Sequence, residues 1–193
     1  DLSVSWCKEV SYGEPLKEYQ QEYYLGGDFV GAVGNFGVYG EAALHFPCSA
    51  EGIAFDFSGH KVAELLELCA GFDYTFSSWD LITRMEYYHQ GRGESDQAKY
   101  DLLQALSEGR GLLAADYLVV FLEKIFGDYY NFTVGSLSNL NDGSFLLLSE
   151  LAYDAAENWQ VLVGSLFPCG AKGSEFNGTW DLLGRPVELL RFT

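Results

Sequence analysis

The sequence contains no uninterrupted run of about 18 apolar residues, and this excludes a transmembrane helix. Basic residues are scarce: 11 Lys and Arg stand against 28 Asp and Glu, for a net charge of −17. A chain this acidic lacks the clustered cations that bind phosphate, so nucleic acid is excluded as a partner. Charged residues reach only 20%, below the roughly 25% of ordinary soluble domains. The four cysteines, Cys7, Cys48, Cys69 and Cys169, are far apart and form no CxxC pair. Their spacing gives no zinc or iron–sulfur pattern, and four separate small residues is a better reading than one or two disulfides. There is no GxSxG elbow and no pattern that calls for a cofactor. The first residues, Asp1 to Val4, carry neither a basic region nor an apolar signal core. The expectation is therefore a removed signal or a start within a longer protein.

The chain is instead rich in aromatics, with 13 Tyr and 14 Phe, and in glycine, with 22. These residues recur at alternate positions. From Leu65 to Phe76 one parity reads Leu66, Leu68, Ala70, Phe72, Tyr74, Phe76, and the other Leu65, Glu67, Cys69, Gly71, Asp73, Thr75. After a turn at Ser77-Ser78 the alternation resumes, with Trp79, Leu81, Thr83, Met85 and Tyr87 opposed to Asp80, Ile82, Arg84, Glu86 and Tyr88. Two such runs joined by a short turn predict a β-hairpin. The same period appears in Leu2 to Cys7, in Leu25 to Phe46 around a Gly34-Asn35 turn, and in Tyr130 to Gly135. It continues from Phe145 to Tyr153 after Asn141-Asp142-Gly143, then from Trp159 to Phe167, and ends in Val187 to Phe192. With a strand over Ala115 to Phe126 this makes about ten strands, short turns alternating with longer loops.

Three stretches also fit a helical period: Val62–Ala70, Asp96–Glu108 and Leu112–Phe126. The middle one is read as a short helix in a long loop, an insertion over about 94–109, and the other two as strands. All three helical would make the fold α+β.

Alternation fits a soluble sandwich or a membrane barrel equally well. Three features favour the barrel. The apolar faces run unbroken over five or six alternate positions, the length of a tilted bilayer span. Aromatics gather at strand ends (Tyr74 and Phe76, Tyr87 and Tyr88, Tyr129 and Tyr130, Tyr153, Trp159 and Phe167) as interfacial girdles do. The opposite parity carries scattered Glu, Asp and Arg, as a wet interior would.

The phrases Leu25–Phe46 (LGGDFVGAVGNFGVYGEAALHF), Leu68–Gly93 and Ser136–Gly170 together resemble Gram-negative outer-membrane β-barrel proteins. The resemblance rests on a GxDYTF strand followed by xEYYxxG, and on an NLxDGS turn before two strands separated by an xxNW turn. It implies a porin-like pore or structural barrel in the outer membrane of a Gram-negative bacterium, either the C-terminal portion of a longer barrel or a compact relative. Cys48, Cys69 and Cys169 depart from that pattern. The resemblance carries no catalytic residues.

Catalysis and metal binding fare poorly. His45 falls on the polar parity, and His60 and His89 lie at strand ends, so a triad lacks its assembly. Asp142 sits in a stretch similar to a calcium loop but without the distal Glu, and reads as a tight turn. Gly91-Arg92-Gly93 and Gly109-Arg110-Gly111 flank the helical loop as flexible junctions.

The resulting expectation is a single all-β domain over 1–193, an antiparallel transmembrane β-barrel and not an enzyme. Glu41, Glu67, Asp73, Arg84, Glu86 and Glu150 are its pore-lining candidates, and an acidic lumen would prefer cations. Its partners are outer-membrane lipid and small ions or solutes, and an oligomer or membrane complex is compatible with it. The alternatives are a soluble closed β-barrel binding a small apolar ligand and a secreted interaction domain using its long loops.

Overall fold

The computed structural model describes residues 2–3, 6–7, 22–47, 62–107, 110–177 and 188–192. The chain opens with two two-residue strands, β1 (Leu2–Ser3) and β2 (Trp6–Cys7), both antiparallel to β3 (Glu22–Val33). Next come β4 (Phe36–Pro47), β5 (Leu66–Phe76), β6 (Leu81–Gln90) and β7 (Asp116–Phe126). The series ends with β8 (Tyr130–Asn139), β9 (Phe145–Ala156), β10 (Trp159–Cys169) and the five-residue β11 (Glu188–Phe192). Each strand from β3 to β11 pairs antiparallel with its sequence neighbour, so the order is an up-and-down meander.

The protein is therefore all-β, built on eight long antiparallel strands rather than the expected ten or so. The segments at the two ends of the order, read as full strands from Leu2–Cys7 and Val187–Phe192, contribute only two-residue and five-residue pieces. Val187 itself lies outside the described residues. The eight long strands span ten to twelve residues each. No helix among the described residues is long and apolar enough to cross a membrane.

Turn chemistry assigns the two rims. At one rim the connections are tight. Val33 pairs with Phe36 across Gly34-Asn35, with Gly34 at φ 63°, and Ala156 pairs with Trp159 across Glu157-Asn158. Positive φ at the first position suits the two-residue turns whose twist matches the strands. Ser77 to Asp80 form a four-residue turn, so Trp79 lies in it and not in β6 as its parity had implied; Asp80 takes φ 47° there. At the other rim residues 91–115 connect β6 to β7 and 140–144 connect β8 to β9.

The helical-period stretches resolve three ways. Val62–Leu65 is a short 3-10 turn, and strand β5 begins one residue after the expected Leu65. The loop insertion holds a 3-10 turn at Gln97–Lys99, with Asp96 Oδ1 accepting from Ala98 N, and helix α1 (Leu102–Ser107), with Asp101 Oδ1 accepting from Gln104 N. Both caps satisfy N–H groups that a short helix leaves orphaned. The third stretch is strand β7 as expected, although it begins at Asp116.

Register carries the faces through the sheet, because directly paired residues project to the same side. One face holds Phe29, Val38, Phe72, Met85, Val120, Phe132, Leu151 and Val163, one or more per long strand. The other holds Asp28, Glu41, Asp73, Arg84, Glu123, Thr133 and Glu150. Polar groups on the apolar face are mostly small and paired: Ser149 and Ser165 hydroxyls lie 2.7 Å apart, and those of Ser136 and Ser138 3.0 Å.

Candidate functional site

Exposure reverses the usual relation between the faces. Every long strand exposes a large apolar side chain on the apolar face: Phe29 (60%), Phe36, Phe72, Met85, Leu122, Phe132, Leu151 and Val163 (51%). Among the strand residues whose burial is described, those buried, apart from two glycines, are His45, Gln90, Tyr117, Asn139 and Ala152, and register puts all five on the polar face. A soluble sandwich covers the apolar face and wets the polar one. Here the buried side chains lie on the polar face, which stays exposed at Asp28, Val30, Glu41 and Arg84.

All six charged residues singled out from the sequence, Glu41, Glu67, Asp73, Arg84, Glu86 and Glu150, share that polar face. Asp28, Glu123 and Asp154 join them, so the residues described with their side chains place eight carboxylates and one guanidinium on the face across β3 to β10. Asp73 pairs in register with Arg84, and Asp28 with Glu41. The Tyr39 hydroxyl donates to Glu86 Oε1 at 2.5 Å. Its ring fills the space left by Gly71, where a Cβ would lie 2.7 Å from the Tyr39 ring. Asn131 Nδ2 donates to Glu123 Oε1 at 2.5 Å, and Gln160 Nε2 to Asp154 Oδ1 at 2.8 Å. His45 lies with Nε2 3.3 Å from Glu67 Oε2 and its ring edge-on to Tyr24, on the polar face as expected. His60, Cys48 and Gly109 lie outside the described residues. Cys69 and Cys169 are free thiols on opposite faces.

His89 lies on the apolar face near the long-loop rim. It shares Asp116 Oδ1 with the Tyr87 hydroxyl, at 2.8 Å and 2.6 Å. Asn141 Nδ2 reaches Asp116 Oδ2 at 3.3 Å, while Asn141 Oδ1 accepts from the Ala115 and Asp116 amides. A carboxylate with this many donors is a satisfied strand-end group, and it ends the apolar face at that rim.

The short-turn rim carries an aromatic belt. Phe36 and Tyr74 centroids are 4.6 Å apart, Tyr74 and Phe76 4.5 Å, and Phe76 stacks on Trp79 at 5.8 Å. Further round, Tyr130 stacks on Tyr153 at 4.8 Å. Lys124 donates to the Trp79 carbonyl and lies 5.1 Å from the Phe126 ring centre, with its ammonium held at the rim.

The long-loop rim is built around a residue that sequence reasoning missed. Glu175, which follows β10, is 4% exposed. Its Oε1 accepts from Leu113 N at 2.8 Å, and its Oε2 accepts from the Tyr117 hydroxyl and Asn139 Nδ2, both at 2.7 Å. Tyr117 in turn accepts from Ala114 N at 2.6 Å, and Asn139 Nδ2 also reaches the Tyr100 hydroxyl at 3.0 Å. Asp142 secures the same segment: Oδ1 accepts from Ser144 N, and Oδ2 from Glu175 N at 2.8 Å. The Asn-Asp-Gly turn read from sequence is thus a turn that also anchors a distant loop. Burial pushes the Glu175 carboxyl above the ordinary carboxylate range, with the Asp142 charge adding to the shift and the three donors opposing it. A local glycine signal existed nearby: a Cβ on Gly93 would lie 2.0 Å from the Ala114 carbonyl oxygen, so Gly93 belongs to a tight contact rather than a free junction.

No family model matches the chain, and neither a curated protein nor a solved structure does.

Proposed function

We propose that this chain is a membrane-embedded β-barrel of the Gram-negative outer-membrane type, with the polar face turned inward as a cation-preferring passive pore. The observation that carries this reading is the reversal of exposure between the faces. A face exposing Phe, Met, Leu and Val on eight consecutive strands is costly in water and favourable in lipid, at about 25 cal/mol per Å² of apolar area removed from water. Strands of ten to twelve residues match the span of a tilted barrel strand, and the aromatic belt with its rim lysine matches an interface.

The meander is compatible with closure. The broken strand β1–β2 runs antiparallel to β3 and β11 antiparallel to β10, so across an even count the two end segments run in opposite senses and can meet as an antiparallel pair. Closure would remove the open edges that lipid does not tolerate. Eight carboxylates against Arg84 would raise the local cation concentration inside. A soluble barrel holding an apolar ligand fits less well, since its ligand would face these carboxylates.

The experiment is reconstitution of the full chain. The proposal expects detergent-dependent extraction, a folded form whose gel mobility changes on boiling, and a reversal potential in a salt gradient of the cation-selective sign. A chain soluble in plain buffer, or an anion-selective conductance, would overturn it.

A further inference from the structure

The segment that follows β10 turns back over the polar face instead of staying at the rim. Phe176 is 5% exposed and packs on Ala114 and Tyr117, with Tyr88, Leu137 and Leu146 around them. Tyr88, Tyr117, Leu137 and Leu146 are polar-face positions on β6, β7, β8 and β9. The cluster that holds Phe176 therefore draws side chains from four adjacent strands. Across β6 to β9 the same face carries its carboxylates further along, at Glu86, Glu123 and Glu150, interspersed with Val119, Phe121, Ile125 and Leu148, and carries no charged side chain at the end where Phe176 docks. An apolar end to an acidic channel has no use in conducting cations, but it does provide a seat for a plug.

We propose, on the pore reading above, that residues Ser174–Asn177 form a plug closing the channel at its long-loop end, with Phe176 as its apolar anchor and Glu175 as its latch. The latch ties together pieces of chain far apart in sequence: Leu113 from the loop before β7, Tyr117 on β7, Asn139 at the end of β8 and Asp142 in the following turn. Leu113 N, the Tyr117 hydroxyl and Asn139 Nδ2 all donate to the carboxylate, while Asp142 accepts from the Glu175 amide, so removing the carboxylate leaves three buried donors unmatched.

Acidity sets the latch. The titratable groups facing Glu175 are Tyr117 from β7, Tyr100 from the loop before α1, and Asp142 from the turn after β8. Tyr100, pushed up to about 12 by burial, stays neutral across the working range. The raised Glu175 group favours the docked plug when protonated. That contribution is complete below the ordinary carboxylate value and is lost as pH rises through the raised one. The plug holds in acid and loosens as pH rises through the raised Glu175 range.

The test is single-channel recording from the full chain in planar bilayers, with boiling-dependent gel mobility confirming that each variant is folded. Phe176→Ala and Glu175→Ala should raise mean conductance or open probability at least tenfold over the parent at pH 5, while Asn158→Ala on an exposed turn at the opposite rim leaves it unchanged. The parent should conduct more at pH 8 than at pH 5, and Glu175→Gln should flatten that response. Folded, inserted Phe176→Ala and Glu175→Ala proteins that conduct like the parent would overturn the plug and leave the pore standing. A full pH response in Glu175→Gln would overturn Glu175 as the latch. Failure of every protein to insert would overturn the pore reading itself, and the plug with it.

Discussion

The two rims of the sheet use aromatic residues in opposite ways. At the short-turn rim Phe36, Tyr74, Phe76, Trp79, Tyr130 and Tyr153 stack side by side along the apolar face, mostly well exposed. At the long-loop rim Tyr88, Tyr100, Tyr117 and Phe176 pack on the polar face, and Tyr117 is fully buried. Connections of two to four residues at the first rim leave no chain to fold inward, and an open concavity of about 640 Å³ lined by Asp128, Tyr129, Asp154 and Glu157 remains there. The long connections at the second supply both the chain and the hydrogen-bonding groups for a buried network. Loop length thus decides whether a rim presents a girdle or a cap.

Substitutions at matched positions would break or sharpen that contrast. The largest effect is expected from Gly93→Val, whose side chain would collide with the Ala114 backbone. The cap should lose ~3 kcal/mol through forced displacement of that backbone, seen as collapse of amide protection over residues 113–115 with the short-turn rim untouched. Tyr117→Phe removes the hydroxyl that joins Ala114 N to Glu175 and should cost about 2 kcal/mol, read from the midpoint of urea unfolding. Protection of the Leu113 amide, corrected for intrinsic exchange, should fall as pH rises from 4 to 8, because Glu175 is raised and its stabilising contribution belongs to the protonated form. No such trend is expected at the tight turns. The smallest change is expected from Trp79→Ala, which unstacks Phe76 at ~1 kcal/mol and should shift the unfolding midpoint only slightly.

The eight long strands were legible because seven of them alternate plainly and their turns carry Gly-Asn, Asn-Asp-Gly or Glu-Asn signals. The same alternation correctly put Glu41, Glu67, Asp73, Arg84, Glu86 and Glu150 on one face. Strand β7 concealed its faces: Leu118, Val120 and Leu122 are apolar, but so are Val119, Phe121 and Ile125, and only pairing with β6 separates them. That is why Glu123 went unnoticed as a polar-face residue. Trp79 matched the strand period but belongs to a turn, since the chain reverses through Asp80 at positive φ before the ladder starts. Glu175 lay within a glycine-rich tail of no evident period. Its partners come from residues 33 to 62 positions away, and no local pattern encodes contacts of that range.

The central claim is that the apolar face meets lipid while the polar face does not. Nitroxide labels placed one at a time on β8, in a background whose cysteines are replaced by alanine, and reconstituted into vesicles, test it directly. The account predicts a two-residue period in collision accessibility: labels at Phe132, Val134 and Ser136 favour lipid-dissolved oxygen, and those at Asn131, Thr133 and Leu137 do not. Loss of that period, or the opposite phase with Thr133 and Leu137 facing lipid, would contradict it.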